Sequence, residues 1–234
     1  MEFLHVPVML EECMDALDLK DGGIYFDSTL GAGGHSGEIL KRTKDSRLVS
    51  TDLDTLAIDN AEKKFVGYGE RFTAVHDNFK NFSEIADELG IEKFDGILAD
   101  LGVSSMQLDM RERGFSYLAD EEKLDMRMNR EQRLGAYEVI NFYEKDKLAD
   151  ILFKYGEEKF SRRIAENVVK ERAVKPIETC GELVRIIEKS IPAKFKKDGH
   201  PAKRTFQAVR IEVNGELDGL EDALRAMALR LRRG

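Results

Sequence analysis

The chain has 234 residues, a net charge of −8, 42% hydrophobic and 35% charged residues, and two cysteines. This mixture excludes a disordered chain, and no apolar run approaches the roughly 18 residues of a membrane span. Cys13 and Cys180 lack metal-type spacing and cannot form a disulfide framework, so a reducing cytoplasm, no membrane and no metal are expected. Glu2 also stands where a signal peptide would carry positive charge.

Val6 to Leu10 reads as an entry segment and Glu11 to Leu17 as a first helix, closed by Asp21-Gly22-Gly23. β and α patterns then alternate. Strands are expected at Ile24–Phe26, Arg47–Thr51, Phe72–His76 and Phe94–Leu101, and helices at Ser36–Thr43, Thr55–Phe65 and Phe82–Leu89. Such alternation implies a parallel sheet with right-handed crossovers. From about 105 to 205 the spacing is helical, with no convincing strand. A long helix, Phe206–Leu231, follows; Gly215 and Gly219 weaken it by about 1 kcal/mol each relative to alanine, so it can break there. The expected division is a sheet core of residues 1–104 and 206–234 around an inserted helical domain of 105–205. Charge is also divided: residues 1–158 hold 19 Lys+Arg against 34 Asp+Glu, and residues 159–234 hold 18 against 11. The basic third can meet phosphates while the acidic part faces away.

The chain is organised around Asp27-Ser-Thr-Leu-Gly-Ala-Gly-Gly-His-Ser36, a glycine turn between a strand and a helix. A dinucleotide-binding turn would want a third glycine where Ser36 stands and no acid at the strand end. Asp27 would repel a pyrophosphate but suits a cationic ligand such as S-adenosylmethionine, with its ammonium and sulfonium. Gly31, Gly33 and Gly34 allow close backbone approach, and the helix start near His35 offers N–H groups to a carboxylate. A nucleotide-dependent oxidoreductase is therefore the weaker reading. Asp52 ends the second strand, where a carboxylate can accept ribose hydroxyls. Phe79 follows the third strand and can stack on adenine. Asp100-Leu-Gly-Val-Ser-Ser105 ends the fourth. There the Asp100 carboxylate, the Ser104 hydroxyl or the carbonyls between them can hydrogen-bond an exocyclic amine as it gains positive charge.

These residues, together with Asp100-Leu-Gly-Val-Ser-Ser-Met-Gln-Leu-Asp109, Arg113-Gly-Phe-Ser116, Leu124-Asp-Met-Arg-Met128, Tyr155-Gly-Glu-Glu158 and His200-Pro-Ala-Lys-Arg-Thr-Phe-Gln-Ala-Val-Arg-Ile-Glu-Val-Asn214, resemble the bacterial MraW/RsmH family. Its members are small-subunit ribosomal RNA methyltransferases that act on N4 of a cytidine in 16S rRNA. The resemblance runs from His5 to the C-terminus and implies a class I (Rossmann-like) S-adenosylmethionine-dependent methyltransferase. It implies cofactor contacts at Gly33, Gly34, His35, Asp52, Phe79, Asp100 and Gln107, and RNA recognition by the helical insert. Within that insert His200, Lys203, Arg204 and Phe206 form the expected acceptor-side element, the cations on phosphate and Phe206 on a base. Arg113 and Phe115, with Arg111, form a second set. The family continues past Gly234 with further strands. A C-terminally truncated chain with four strands in order 3-2-1-4 is thus expected, its last sheet strands missing. The alternative to the enzyme is then a non-catalytic S-adenosylmethionine- or RNA-binding module.

Overall fold

The computed structural model describes residues 7–195 and 199–233. In chain order its elements are α1 (Leu10–Leu17), β1 (Ile24–Asp27), α2 (Gly34–Arg42), β2 (Arg47–Asp52), α3 (Thr55–Lys64), β3 (Phe72–His76), α4 (Phe82–Glu88), β4 (Gly96–Leu98), α5 (Ser105–Asp109), α6 (Ala136–Phe142), α7 (Lys145–Gly156), α8 (Ser161–Arg172), α9 (Cys180–Ser190), α10 (Lys203–Asn214) and α11 (Leu220–Arg230). They form two compact units, Met1–Met106 with Asp218–Gly234, and Gln107–Leu217.

The first unit is an α/β sheet in order β3-β2-β1-β4, with every pairing parallel. Strand side chains alternate between faces, and the two faces bury different sets. Tyr25 and Leu48 pack with Met14, Ile39, Leu40, Ile58 and Phe65 from α1, α2 and the α3 end. Phe26 and Val49 pack with Phe82, Ile85, Phe94 and Met227 from the side of α4 and α11. Phe26, Phe82 and Phe94 meet at centroid distances of 4.9 to 5.7 Å, two of the pairs edge to face, the arrangement that aromatic quadrupoles favour.

The fourth strand is shorter than the Phe94–Leu101 its apolar run predicts. Phe94 bridges Leu231, with its N–H on the Arg230 carbonyl and its carbonyl accepting from Arg232 N, each at 2.9 Å. Beyond Leu98 the backbone leaves the ladder, and Asp100 N donates to Thr29 Oγ1 at 2.7 Å.

The second unit is helical, and no strand lies among its described residues. Thr179 and Glu182 form a reciprocal capping box at the start of α9. Asn214 ties α10 to the loop before α6: its Oδ1 accepts from Met128 N and its Nδ2 donates to Met126 O, each at 2.8 Å. The expected long final helix is two helices. α10 ends at Gly215 (φ +55) and α11 begins after Gly219 (φ +66), both left-handed conformations that favour glycine. In consequence α10 belongs with the helical unit, and the chain returns to the sheet unit at Asp218 rather than at 206.

Candidate functional site

Strand order reverses between β1 and β4, which makes their carboxyl ends the crevice where open α/β sheets bind ligands. The glycine turn leaves β1 here. Ser28 N donates to Leu98 O and Leu30 N to Thr51 O, so the turn is pinned to both neighbours of β1. Gly31 and Gly33 sit at φ +51 and +70, and Gly33 is the residue before α2. No side chain caps α2. The N–H groups of its first turn, at Gly34 and His35, have no acceptor within the helix and suit a carboxylate.

Asp27 is fully buried. Its Oδ1 accepts from Thr29 N at 3.0 Å, and its Oδ2 from Ser36 Oγ at 2.6 Å. Ser36 Oγ is also 2.9 Å from Ser50 Oγ. Burial pushes the Asp27 carboxyl up, against these hydrogen bonds. Asp27, expected to meet a cationic ligand, has no exposed surface in the ligand-free chain, and its oxygens are engaged within the turn, whose shape they hold.

Asp52 lies beside it. Its Oδ2 accepts from Gly31 N at 2.8 Å and its Oδ1 from Asp54 N at 2.9 Å. Burial pushes its pKa up to about 6 even though both hydrogen bonds favour the charged form. A carboxylate has about four lone-pair sites, so two backbone donors leave capacity for a diol. Phe79 packs one side against the Phe26–Phe82 cluster and is partly exposed. His35 is buried, with Nε2 3.2 Å from Val8 O and Nδ1 4.0 Å from the half-exposed Asp100 carboxylate. Ser104 lies against the turn, its Cβ 3.5 Å from where a side chain on Gly31 would begin. Gly31, Gly33, Gly34, His35, Asp52, Asp100 and Ser104 are thus brought together in one unit. This donor set matches a nucleoside carrying an amino-acid tail: N–H groups for its carboxylate, an acid for its ribose and an aromatic face for its base. Among the described residues no cluster of His, Cys, Asp and Glu could hold a metal ion, and no helix is long and apolar enough to cross a membrane.

Two contacts escaped sequence reasoning. Thr29 Oγ1 carries the turn to the Asp100 backbone. Lys64 Nζ donates to the carbonyls of Ala32 and Gly33 at 3.0 and 3.3 Å. Phe65, next in sequence, packs beneath Gly33 and Gly37. Lys64 reads in sequence as one more cation on a solvated helix face, and no spacing distinguishes it.

Gln107 is the first residue of the helical unit and is buried. Three of the residues expected to touch RNA are core residues. Arg113 is fully buried, and its Nη2 donates to Arg127 O and Met128 O. Phe115 lies under its guanidinium, and Phe206 is 3% exposed against the Tyr117 ring. Each is packed within the helical unit and offers almost no surface to a base or a phosphate in the ligand-free chain. Lys203 and Arg204 are exposed at the start of α10, and His200 is partly exposed.

A family model described as the MraW methylase family matches residues 2–234. Among curated proteins, the ribosomal RNA small subunit methyltransferases H of Clostridium botulinum strains Kyoto and Loch Maree are 56% and 55% identical over 232 residues. Each alignment covers 99% of this chain and 74% of the relative.

Proposed function

Because the chain belongs to the MraW methylase family, we propose that it transfers a methyl group from S-adenosylmethionine to N4 of a cytidine in the 16S rRNA of the small ribosomal subunit. The convergence of Asp52, the glycine turn, His35 and Asp100 at the β1/β4 switch point carries this reading. Bound S-adenosylmethionine supplies a methyl group made electrophilic by its sulfonium. The N–H groups at the start of α2 would hold its carboxylate, Asp52 would accept hydrogen bonds from its ribose hydroxyls, and Phe79 would stack on its adenine; Gln107 joins this set by resemblance to the family. The amine of cytosine is a poor nucleophile because its lone pair is delocalised into the ring. Asp100 accepts an N–H of that amine as positive charge grows on nitrogen, which lowers the barrier. Thr29 fixes the backbone from which Asp100 does so, and Ser104 is the second candidate for the contact. The compartment on this reading is the cytoplasm, and the partner is ribosomal RNA.

The test is incubation with methyl-labelled cofactor and unmethylated small subunits, followed by nucleoside analysis. Label in N4-methylcytidine is expected, with Asp100→Ala lowering the rate by about 10²-fold or more. Label in any other nucleoside overturns the reading; cofactor binding without transfer marks a binding module instead.

A further inference from the structure

Burial of Phe206, Phe115 and Arg113 leaves the helical unit without the stacking residues that its sequence offered. Other aromatic side chains are on its surface. Phe195 is 53% exposed and lies 5.2 Å, centroid to centroid, from Phe160 at the start of α8. Lys194 Nζ sits 4.9 Å over the Phe195 ring. From Phe160 the strip continues through the α7–α8 turn, where the Glu157 carbonyl accepts from Arg204 Nη1 at 3.3 Å. The Tyr155 carbonyl accepts from Gln207 Nε2 at 3.2 Å, and Lys154 Nζ lies 4.8 Å over the Tyr155 ring. These contacts join the 193–195 turn, the α7–α8 turn and the first turns of α10 into one surface. Lys154, Lys159, Arg162, Arg163, Lys194, Lys203 and Arg204 are all exposed and belong to these segments. Glu157 is an exposed acid within these segments, Glu158 is buried, and the exposed Glu166 lies near Arg163.

The strip sets exposed aromatic faces beside exposed cations. Both are matched by one kind of partner, a polyanion with π-faces. Single-stranded nucleic acid supplies successive bases to stack and a phosphate per base to pair. A protein partner would instead favour a charge-depleted centre around the aromatics, whereas here Lys194 lies directly over Phe195.

We propose that the Phe160–Phe195 pair is a base-stacking platform for single-stranded RNA, with Lys154, Lys194, Lys203 and Arg204 tracking its phosphates. This rests on RNA being the substrate, and it assigns the stacking role to side chains other than Phe206.

The experiment uses the intact chain, a fluorescent single-stranded RNA of 16 nucleotides, and small ribosomal subunits. Phe195→Ala weakens affinity for the RNA about tenfold with the salt slope unchanged, and Phe195→Trp restores it. Lys194→Gln with Arg204→Gln lowers the slope of log K against log salt by about 1.4, since each phosphate contact on a single strand contributes about 0.7. Because Phe195, Lys194 and Arg204 are exposed, and the Arg204 bond to Glu157 is itself exposed, all three variants melt within a few degrees of the wild type. Unchanged affinity in every variant, with the parent chain binding the RNA, overturns the platform alone. Loss of binding to small subunits with free RNA binding intact also overturns it and marks a protein-docking surface. Failure of the parent chain to bind either RNA or subunits overturns the functional reading, and the platform with it.

Discussion

At the scale of single residues, Asp52 has the sharpest consequences. Its pKa is raised from 3.8 to about 6 by burial. A raised carboxylate pKa favours the folded state while the group is protonated. That stabilisation is complete below about pH 4 and is lost as pH rises through 6, a swing of about 3 kcal/mol by linkage. The ligand-free chain should therefore become less stable between pH 4 and 7, and Asp52→Asn should remove part of that decline. Denaturant titrations at several pH values measure it; parallel curves for the two proteins would refute the burial argument. Ligand affinity should run the other way. Ribose hydroxyls donate to the ionised form, so affinity for S-adenosylmethionine should fall about tenfold per pH unit below pH 6 in the parent chain and stay flat in Asp52→Asn. Calorimetry from pH 5 to 7.5 decides this. Asp52 was legible in the sequence because an acid at the end of a second parallel strand has one obvious place to point. Asp27 was legible as an acid at the end of the first strand but not in its surroundings. Sequence places a charge at a strand end; only packing shows that Ser36 and Thr29 consume it.

At the scale of elements, the glycine turn is braced from outside by the end of α3. Lys64 grips two of its carbonyls while Phe65 fills the space beneath Gly33 and Gly37. Lys64→Met keeps the aliphatic stem and deletes the donors. Those bonds are largely exposed, so the variant should melt within a few degrees of the parent, while cofactor affinity drops about three- to tenfold as the turn samples other shapes. Equal affinity in the variant would show that the turn holds itself. Gly33→Ala should behave differently. A side chain there meets both a left-handed φ of +70 and the Phe65 ring, its Cβ 2.9 Å from Phe65 Cε2. About 2 kcal/mol or more of stability should be lost, read by thermal denaturation. Element boundaries up to α4 were readable to within two residues from period and caps, and Asp54 caps α3 through Leu56 N as its position suggests. The fourth strand was read too long because Phe94-Asp95-Gly96-Ile97-Leu98 is one apolar-rich run. Its first residue pairs with Leu231, far away in sequence, and no local pattern encodes that.

At the scale of the whole molecule, the chain divides into two compact units, and the sequence hid where one gives way to the other. Helical spacing runs unbroken in character from α10 into α11, so only the left-handed glycines mark the join. Phe206 shows what the misplacement costs. Read as the first residue after the insert, it is free to stack on RNA; seated in the helical unit, it is a core side chain. Gly156 on α7 lies so close to the Arg204 carbonyl that an added Cβ would collide with it, which places α10 firmly against α7. Truncating Phe206 to alanine should thus cost about 3 to 5 kcal/mol, the usual loss for a large aromatic in a packed interior. The loss should be local, because the sheet unit is filled by Tyr25, Leu48, Phe26 and Val49 and their helices. Hydrogen exchange separates the two outcomes. Amides of α7, α8 and α10 should lose protection in Phe206→Ala, while β1 and β2 keep theirs. Equal loss in β1 and β2 would mean that the chain unfolds as one cooperative block. The contrast with Phe195→Ala then follows from exposure alone. One phenylalanine of the same unit supports the fold and leaves nothing for a ligand; the other contributes little to the fold and offers its face to solvent.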